Sequence, residues 1–246
     1  NPPKSNSNWV NIYVKTPKES MCVHHSTYKD VPPEWLGRDF IEEAEHLREV
    51  NPDAYEHEYM GVANGNGGMV FDYLELREIT DDEIARMDRI YQGVDWGWFP
   101  DPYAFIRSYY NPAQEKIYLI AENVVKKTKN TQTGQWIIDH GYDDYEIVCD
   151  SAEKKSVGDY VDIGLPARPA IKGPGSVEYG MKWLQGKTIV IDQARTPHAY
   201  KEFTEYEYER DKDGNVISGY PDADNHTIDA VRYSYEPLWR RSEHKA

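Results

Sequence analysis

Two short apolar runs that each end in an aspartate constrain this chain more than any other feature. One is Ile90 to Asp95, which continues through Trp96 and Gly97; the other is Ile147-Val148-Cys149-Asp150. Both read as short strands. Aspartate is poorly suited to a strand, and burying its charge is costly unless a partner offsets it. On an open sheet that alternates with helices, ligands gather at the carboxyl ends of strands. A bound cation would therefore explain both carboxylates, and Gly97 would leave it space. Plainer readings stand beside this one. Asp95 can close an ordinary strand-ending turn. Asp150 can cap the next helix, with Glu153 completing a capping-box-like pair.

The remaining pattern supports an α/β domain. Strands are predicted over Tyr103 to Tyr110, Lys116 to Val125 and Thr188 to Asp192, with a turn at Asn111-Pro112. Helices are predicted near Ala152 to Ile163 and Val177 to Gly186, with Tyr200 to Tyr208 helical or extended. A hairpin turns at Asp213-Gly214. A last helix is predicted from about Asp224 to Glu236, stopped by Pro237. Three strands followed by alternating helices and strands imply a mixed sheet flanked by helices. The N-terminal part reads as a small appendage, residues 1–71. It holds a strand at Trp9 to Val14, a helix from Pro33 to Val50 and a glycine-rich loop from Gly61 to Gly68. Residues 72–89 read as a charged linker with a short helix begun at Thr80, and 90–246 as the main domain.

A third segment adds chemistry. In Asp222-Ala223-Asp224-Asn225-His226-Thr227-Ile228-Asp229-Ala230-Val231-Arg232-Tyr233, His226 and Asp229 lie three apart and share a helical face. Ile228, Val231 and Tyr235 form the core stripe. The plainer reading has Asp222 or Asp224 capping the helix and His226 merely solvated. Taken together, two strand-end aspartates and a His/Asp pair on a late helix make the layout of a two-metal phosphoryl-transfer site. Oxygen ligands suit Mg²⁺ or Mn²⁺, and an imidazole favours Mn²⁺.

Composition narrows the field. The 246 residues include 20 Tyr and 7 Trp, enough for a packed core and unlike a disordered chain. No apolar run approaches the roughly 18 residues that cross a bilayer. No signal pattern opens the chain, which begins Asn1-Pro2-Pro3 as a piece of a longer protein would. Two cysteines, Cys22 and Cys149, fit a reducing compartment, and no zinc-spaced ligand pairs accompany Cys22, His24 and His25. The net charge of −15 opposes tight DNA binding through the overall field. Contacts with DNA would have to be local, or another domain must supply the grip.

The Gly-Val-Asp-Trp-Gly, Val-Cys-Asp-Ser and Asp-Asn-His-Thr-Ile-Asp-Ala-Val-Arg-Tyr runs resemble the nuclease domain of large terminase subunits. Asn1-Pro2-Pro3, His25 to Tyr28, Val31 to Leu36 and Tyr55 to Tyr59 resemble the tail of that family's ATPase domain and the segment joining it to the nuclease. The resemblance implies a ribonuclease H-like fold and a metal-dependent endonuclease that cuts concatemeric double-stranded viral DNA during packaging. It implies Asp95, Asp150 and Asp229 as metal-binding acids, His226 as an auxiliary ligand and Asp224 as a weaker candidate. Lys172 is a further residue that can sit near the site. The hairpin from Tyr206 to Tyr220 resembles one that gates DNA access. Two Mg²⁺ or Mn²⁺ ions are the implied cofactors. The implied partners are DNA, a portal protein, the small terminase subunit and the ATPase domain of the same subunit, with no membrane. The implied setting is the host cytoplasm, on the procapsid, without secretion. No Gly-x-x-x-x-Gly-Lys-Ser/Thr is present, so ATP hydrolysis is not expected of these residues. Two alternatives stay open: a Holliday-junction resolvase or transposase-type nuclease of the same fold, and a non-catalytic module that docks the motor.

Overall fold

The structure is a computed structural model and describes residues 2, 9–18, 20–50, 52–63, 68–209, 217 and 219–243. The chain divides into two compact units: residues 1–69 with 207–219, and residues 70–206 with 220–246.

The first unit holds α1 (Trp9–Lys15), a 3-10 turn (Tyr28–Asp30), α2 (Pro33–Leu36), α3 (Arg38–Val50) and α4 (Pro52–Glu58). The strand expected at Trp9 to Val14 is instead α1: a helix satisfies its own backbone, whereas a strand needs an edge to pair with. The single helix expected from Pro33 to Val50 is broken by Gly37, whose φ of 81° lies in the left-handed region that favours glycine. Tyr28, Phe40, Tyr55 and Tyr59 form an aromatic cluster, edge to face at 5.5 Å between Phe40 and Tyr59. The loop from Gly61 and the tip of the 206–220 hairpin fall largely outside the described residues.

The second unit holds the sheet. In order come β1 (Leu74–Leu76), α5 (Asp81–Ile84), β2 (Ile90–Asp95), β3 (Tyr103–Asn111), β4 (Lys116–Val125), α6 (Asn130–Asp139), β5 (Ile147–Cys149) and α7 (Lys154–Asp162). Then follow β6 (Ala167–Pro169), α8 (Ser176–Gln185), β7 (Thr188–Ile191), α9 (Pro197–Glu205), α10 (His226–Ser234) and α11 (Glu236–Glu243). The seven strands lie in the order β1-β7-β4-β3-β2-β5-β6. Only β3 runs against its neighbours, so the expected mixed sheet is present.

Residues 72–89 are not a linker. Leu74–Leu76 pairs with β7 at the edge of the sheet, and the helix expected after Thr80 is closed by a capping box between Thr80 and Glu83. Pro237 does not end the helical path. It sits in the first turn of α11, where its missing N–H costs nothing.

Strand alternation decides which side each aspartate faces. Val94 packs with Tyr103, Phe105, Ile137 and Tyr160 on the α6–α7 side. Its neighbour Gly93 points the other way, against the Ala230 backbone of α10. Side chains two apart share a face, so Asp95 lies on the α10 side with Gly93. The same holds one strand over: Val148 packs with Tyr233 of α10, which puts Asp150 on that side too. Gln92 is buried, and its amide donates to the carbonyls of Tyr142 and Tyr145 at 2.9 Å each, so its polar group stays satisfied.

Candidate metal centre

Asp95 closes β2, and Asp150 follows β5 on the adjacent parallel strand, its amide donating to the Val94 carbonyl at 2.8 Å. His226 begins α10, and its Nδ1 lies 3.1 Å from an oxygen of Asp95. One turn on, Asp229 shares that face and accepts from Arg232 Nε at 3.0 Å. Lys172, after β6, donates to Asp150 and lies 4.9 Å over the Tyr233 ring. The three carboxylate side chains are 13%, 14% and 19% exposed for Asp95, Asp150 and Asp229, sunk into the surface yet open to it.

The electrostatics bear on the donor set. Burial pushes the Asp95 carboxyl up to about 6; His226 opposes that, while the charges of Asp229 and Asp150 add to it. His226 is raised above the ordinary imidazole value by its hydrogen bond to Asp95. An Asp95 carboxylate burdened by its acidic neighbours calls for positive charge. In this structure basic side chains supply it: His226 to Asp95, Lys172 to Asp150 and Arg232 to Asp229. Among the described residues no three His, Cys, Asp or Glu side chains are drawn tightly enough to form a ready chelate. The donors nonetheless fit a hard divalent ion, with carboxylate oxygens from three elements and one imidazole beside them.

Asp224 is not brought to this cluster. It is exposed in the turn before α10, with φ 51°, and the charges that act on Asp95 belong to His226, Asp229 and Asp150. The helix-capping readings are not realised as expected: α7 has Glu153 at its N-cap and α10 has Asn225, while Asp150 accepts from the Ala152 amide at 3.0 Å in the turn before α7.

Sequence patterning misses the residue that does hold the start of α10. Glu202, on α9, accepts from the Thr227 amide at 2.7 Å, from the Thr227 hydroxyl at 2.6 Å and from the Ile228 amide at 3.3 Å. A carboxylate there answers both the orphan N–H groups and the positive end of the helix. No local signal announces it, because the cap comes from 25 residues upstream. Glu202→Ala is expected to cost about 2 kcal/mol, at the upper end for a lost helix cap. An unchanged urea midpoint in that variant would show that α10 is anchored otherwise.

Two more residues escape the sequence. Trp96 Nε1 donates to the Asp150 carbonyl at 3.0 Å, and Asp101 Oδ1 lies 3.7 Å from His226 Nε2. A third strand-end aspartate, Asp192 after β7, stays out of the site because β4 and β3 stand between β7 and β2; its oxygens accept from the amides of Ile79 and Ala194 at 2.9 Å each, with Arg195 Nε 3.6 Å away.

Comparison with known proteins identifies the family. Residues 95–236 match the model of the terminase RNAseH like domain, and residues 1–62 match that of the phage terminase large subunit. The large terminase subunit of Bacillus phage SPP1 is 41% identical over 243 residues, 96% of this chain and 57% of that protein. The PBSX phage terminase large subunit of Bacillus subtilis (strain 168) is 27% identical over 218 residues, 87% of this chain and 50% of that protein. The chain thus spans about half the length of the curated relatives it matches. The crystal structure of the g2p (large terminase) nuclease domain from bacteriophage SPP1 with bound Mn superposes with a TM-score of 0.64 at 41% identity. It covers 68% of this chain and 97% of that one. The sheet with its flanking helices is therefore ribonuclease H-like, and the chain belongs to the family of phage terminase large subunits, carrying their nuclease domain.

Proposed function

We propose that this chain is a metal-dependent endonuclease that cuts concatemeric double-stranded viral DNA during genome packaging. The observation that carries the reading is the convergence of Asp95, Asp150, Asp229 and His226 on one face of the sheet. Its relative from SPP1 was crystallised with bound Mn, which favours a divalent ion here.

Asp95, Asp150 and Asp229 would hold two Mg²⁺ or Mn²⁺ ions, with His226 as an auxiliary ligand. Such ions make water a stronger nucleophile and offset charge building on phosphate oxygens. The protein's own part is placement. β2 and β5 fix two carboxylates through their shared ladder, and α10, seated by Gly93 and Glu202, brings the third. His226 can hold a proton between Asp95 and solvent. Lys172, now paired with Asp150, would be free to meet a phosphate oxygen if Asp150 turned to an ion. Hydrolysis forms one P–O bond from water and breaks another, leaving a phosphate monoester and a sugar hydroxyl that carries the second proton.

Double-stranded DNA is the substrate, and the ATPase domain of the same subunit, the portal protein and the small subunit are the partners. The setting is the host cytoplasm, at the procapsid. The resolvase alternative loses ground to the family match, which is to terminases. The docking-module reading draws on one observation, that each acid already has a basic partner. It predicts portal binding without cleavage.

Supercoiled plasmid is expected to be nicked and then linearised in Mn²⁺ or Mg²⁺ and left intact in EDTA. Intact plasmid under both metals, with the full-length subunit as well, would overturn the nuclease reading.

A further inference from the structure

The loop between Asp95 and β3 starts at one site residue and returns to another. Trp96 is tied to the Asp150 carbonyl, and Asp101 approaches His226. Gly97 lies flat on the carbonyl of Pro102, where any Cβ would come within 2.1 Å. The Lys127 amide donates to the Trp98 carbonyl at 2.9 Å, which fastens the loop to the end of β4. On this pinned base stand two adjacent aromatics, Trp98 at 55% and Phe99 at 60% exposed. Single exposed apolar residues need no explanation, but paired large aromatics on an anchored loop make a patch.

Beside them lie Lys126, Lys127 and Lys129, all exposed or half-exposed. Lys127 holds its Nζ 4.3 Å from the Phe99 ring centre and adopts a positive φ of 54°, a strained choice for a side chain that points at an exposed ring. Lys116, Lys172, Lys182 and Lys187 each sit on a carboxylate. Among the described residues, no carboxylate comes within ion-pair distance of the three loop lysines. In a chain of net charge −15 this is a local positive ridge. Acidic residues are not far: Glu153 and Asp159 line the groove between Trp98 and Lys129.

We infer that Trp98, Phe99, Lys126, Lys127 and Lys129 form a DNA-gripping ridge on the loop that follows Asp95, beside the groove along α6 and α7. The lysines meet phosphates of the duplex, and the aromatics take a base that leaves the stack beside the cut. Exposed aromatics among cations are how proteins hold unstacked bases. The ridge also resolves the charge problem: a strongly acidic chain can hold DNA through a few locally clustered cations. The inference rests on the nuclease reading for the identity of its ligand.

The test is fluorescence anisotropy of a fluorescein-labelled 30-base-pair duplex, and of the same duplex with a five-nucleotide gap, in Ca²⁺ over a range of NaCl. The double variant Lys126→Glu/Lys127→Glu is expected to bind the duplex at least tenfold more weakly. Its slope of log affinity against log salt should be smaller by about 2, near 0.9 for each phosphate that no longer meets a lysine. Trp98→Ala is expected to lose about tenfold on the gapped duplex, and Trp98→Phe to keep most of it. Circular dichroism checks that each variant is folded. Unchanged affinity and slope in the lysine variant overturn the ridge, as does a parent chain that raises no anisotropy. Unchanged gapped-duplex binding in Trp98→Ala overturns the stacking role. Plasmid cutting measured alongside separates the two readings. A parent that binds through the ridge but never cuts removes the nuclease and leaves the ridge. A ridge variant that binds and cuts as well as the parent removes the ridge alone.

Discussion

Asp95→Asn and Asp150→Asn are each expected to lower plasmid cleavage about a thousandfold or more, near 4 kcal/mol of lost transition-state stabilisation. Asparagine keeps the shape and one acceptor oxygen but removes the charge that would hold an ion. The fold should tolerate both changes. Asp95 is a buried carboxylate whose charge is disfavoured by burial and by the neighbouring acids, so a neutral amide there relieves more than it breaks. Its melting temperature should equal or exceed that of the parent. Asp229→Asn is a poorer probe. Its partner Arg232 is 2% exposed, and weakening the charge opposite a buried guanidinium costs stability as well as activity. Loss of cutting with stability kept is thus the signature of the site, and it should appear at Asp95 and Asp150 first. Cleavage within tenfold of the parent in both of those variants would remove the acids from the mechanism.

Much of this site is legible in the sequence because each of its parts rests on a local rule. A strand that ends in Asp is readable from six residues. Period-two alternation then fixes the side each aspartate faces, and period 3.6 joins His226 to Asp229. Ile228, Val231 and Tyr235 are buried as the stripe requires. Such patterns cannot report long-range pairing. Leu74–Leu76 looks like part of a charged linker because an edge strand of three residues has too little periodicity to stand out, and β7 lies more than a hundred residues on. Glu202 is silent for the same reason, since its ligands are backbone amides of a helix that begins far along the chain. Asp192 shows the opposite limit. It ends an apolar strand just as Asp95 and Asp150 do, yet β4 and β3 stand between its strand and β2, and its oxygens meet the Ile79 and Ala194 amides and Arg195. Strand-end placement nominates an aspartate; the strand's place in the sheet decides the matter.

Gly93→Ala is expected to be the most damaging single change outside the acids themselves. A Cβ at Gly93 would stand 1.9 Å from the Ala230 carbonyl oxygen and 2.9 Å from the Ser234 amide nitrogen. Both atoms are backbone of α10, so no side chain can swing aside and the whole helix must move. Overpacking of a core typically costs about 1–3 kcal/mol; with backbone as the obstacle, about 3 kcal/mol or more is expected. α10 carries His226 and Asp229, so its displacement also draws both away from Asp95. Misplacement of about 1 Å can cost a hundredfold in rate, which makes that the expected loss of cleavage even where the variant folds. Gly158 supplies the contrast. It lies inside α7 with no atom within 4 Å of the added Cβ, so Gly158→Ala should stabilise by about 1 kcal/mol through helix propensity alone and leave cutting unchanged. Urea denaturation and plasmid cleavage of the two variants side by side check the argument. A Gly93→Ala protein that unfolds and cuts like the parent would mean that α10 does not rest on β2 at the distance described, and the placement of Asp229 and His226 opposite Asp95 would fall with it.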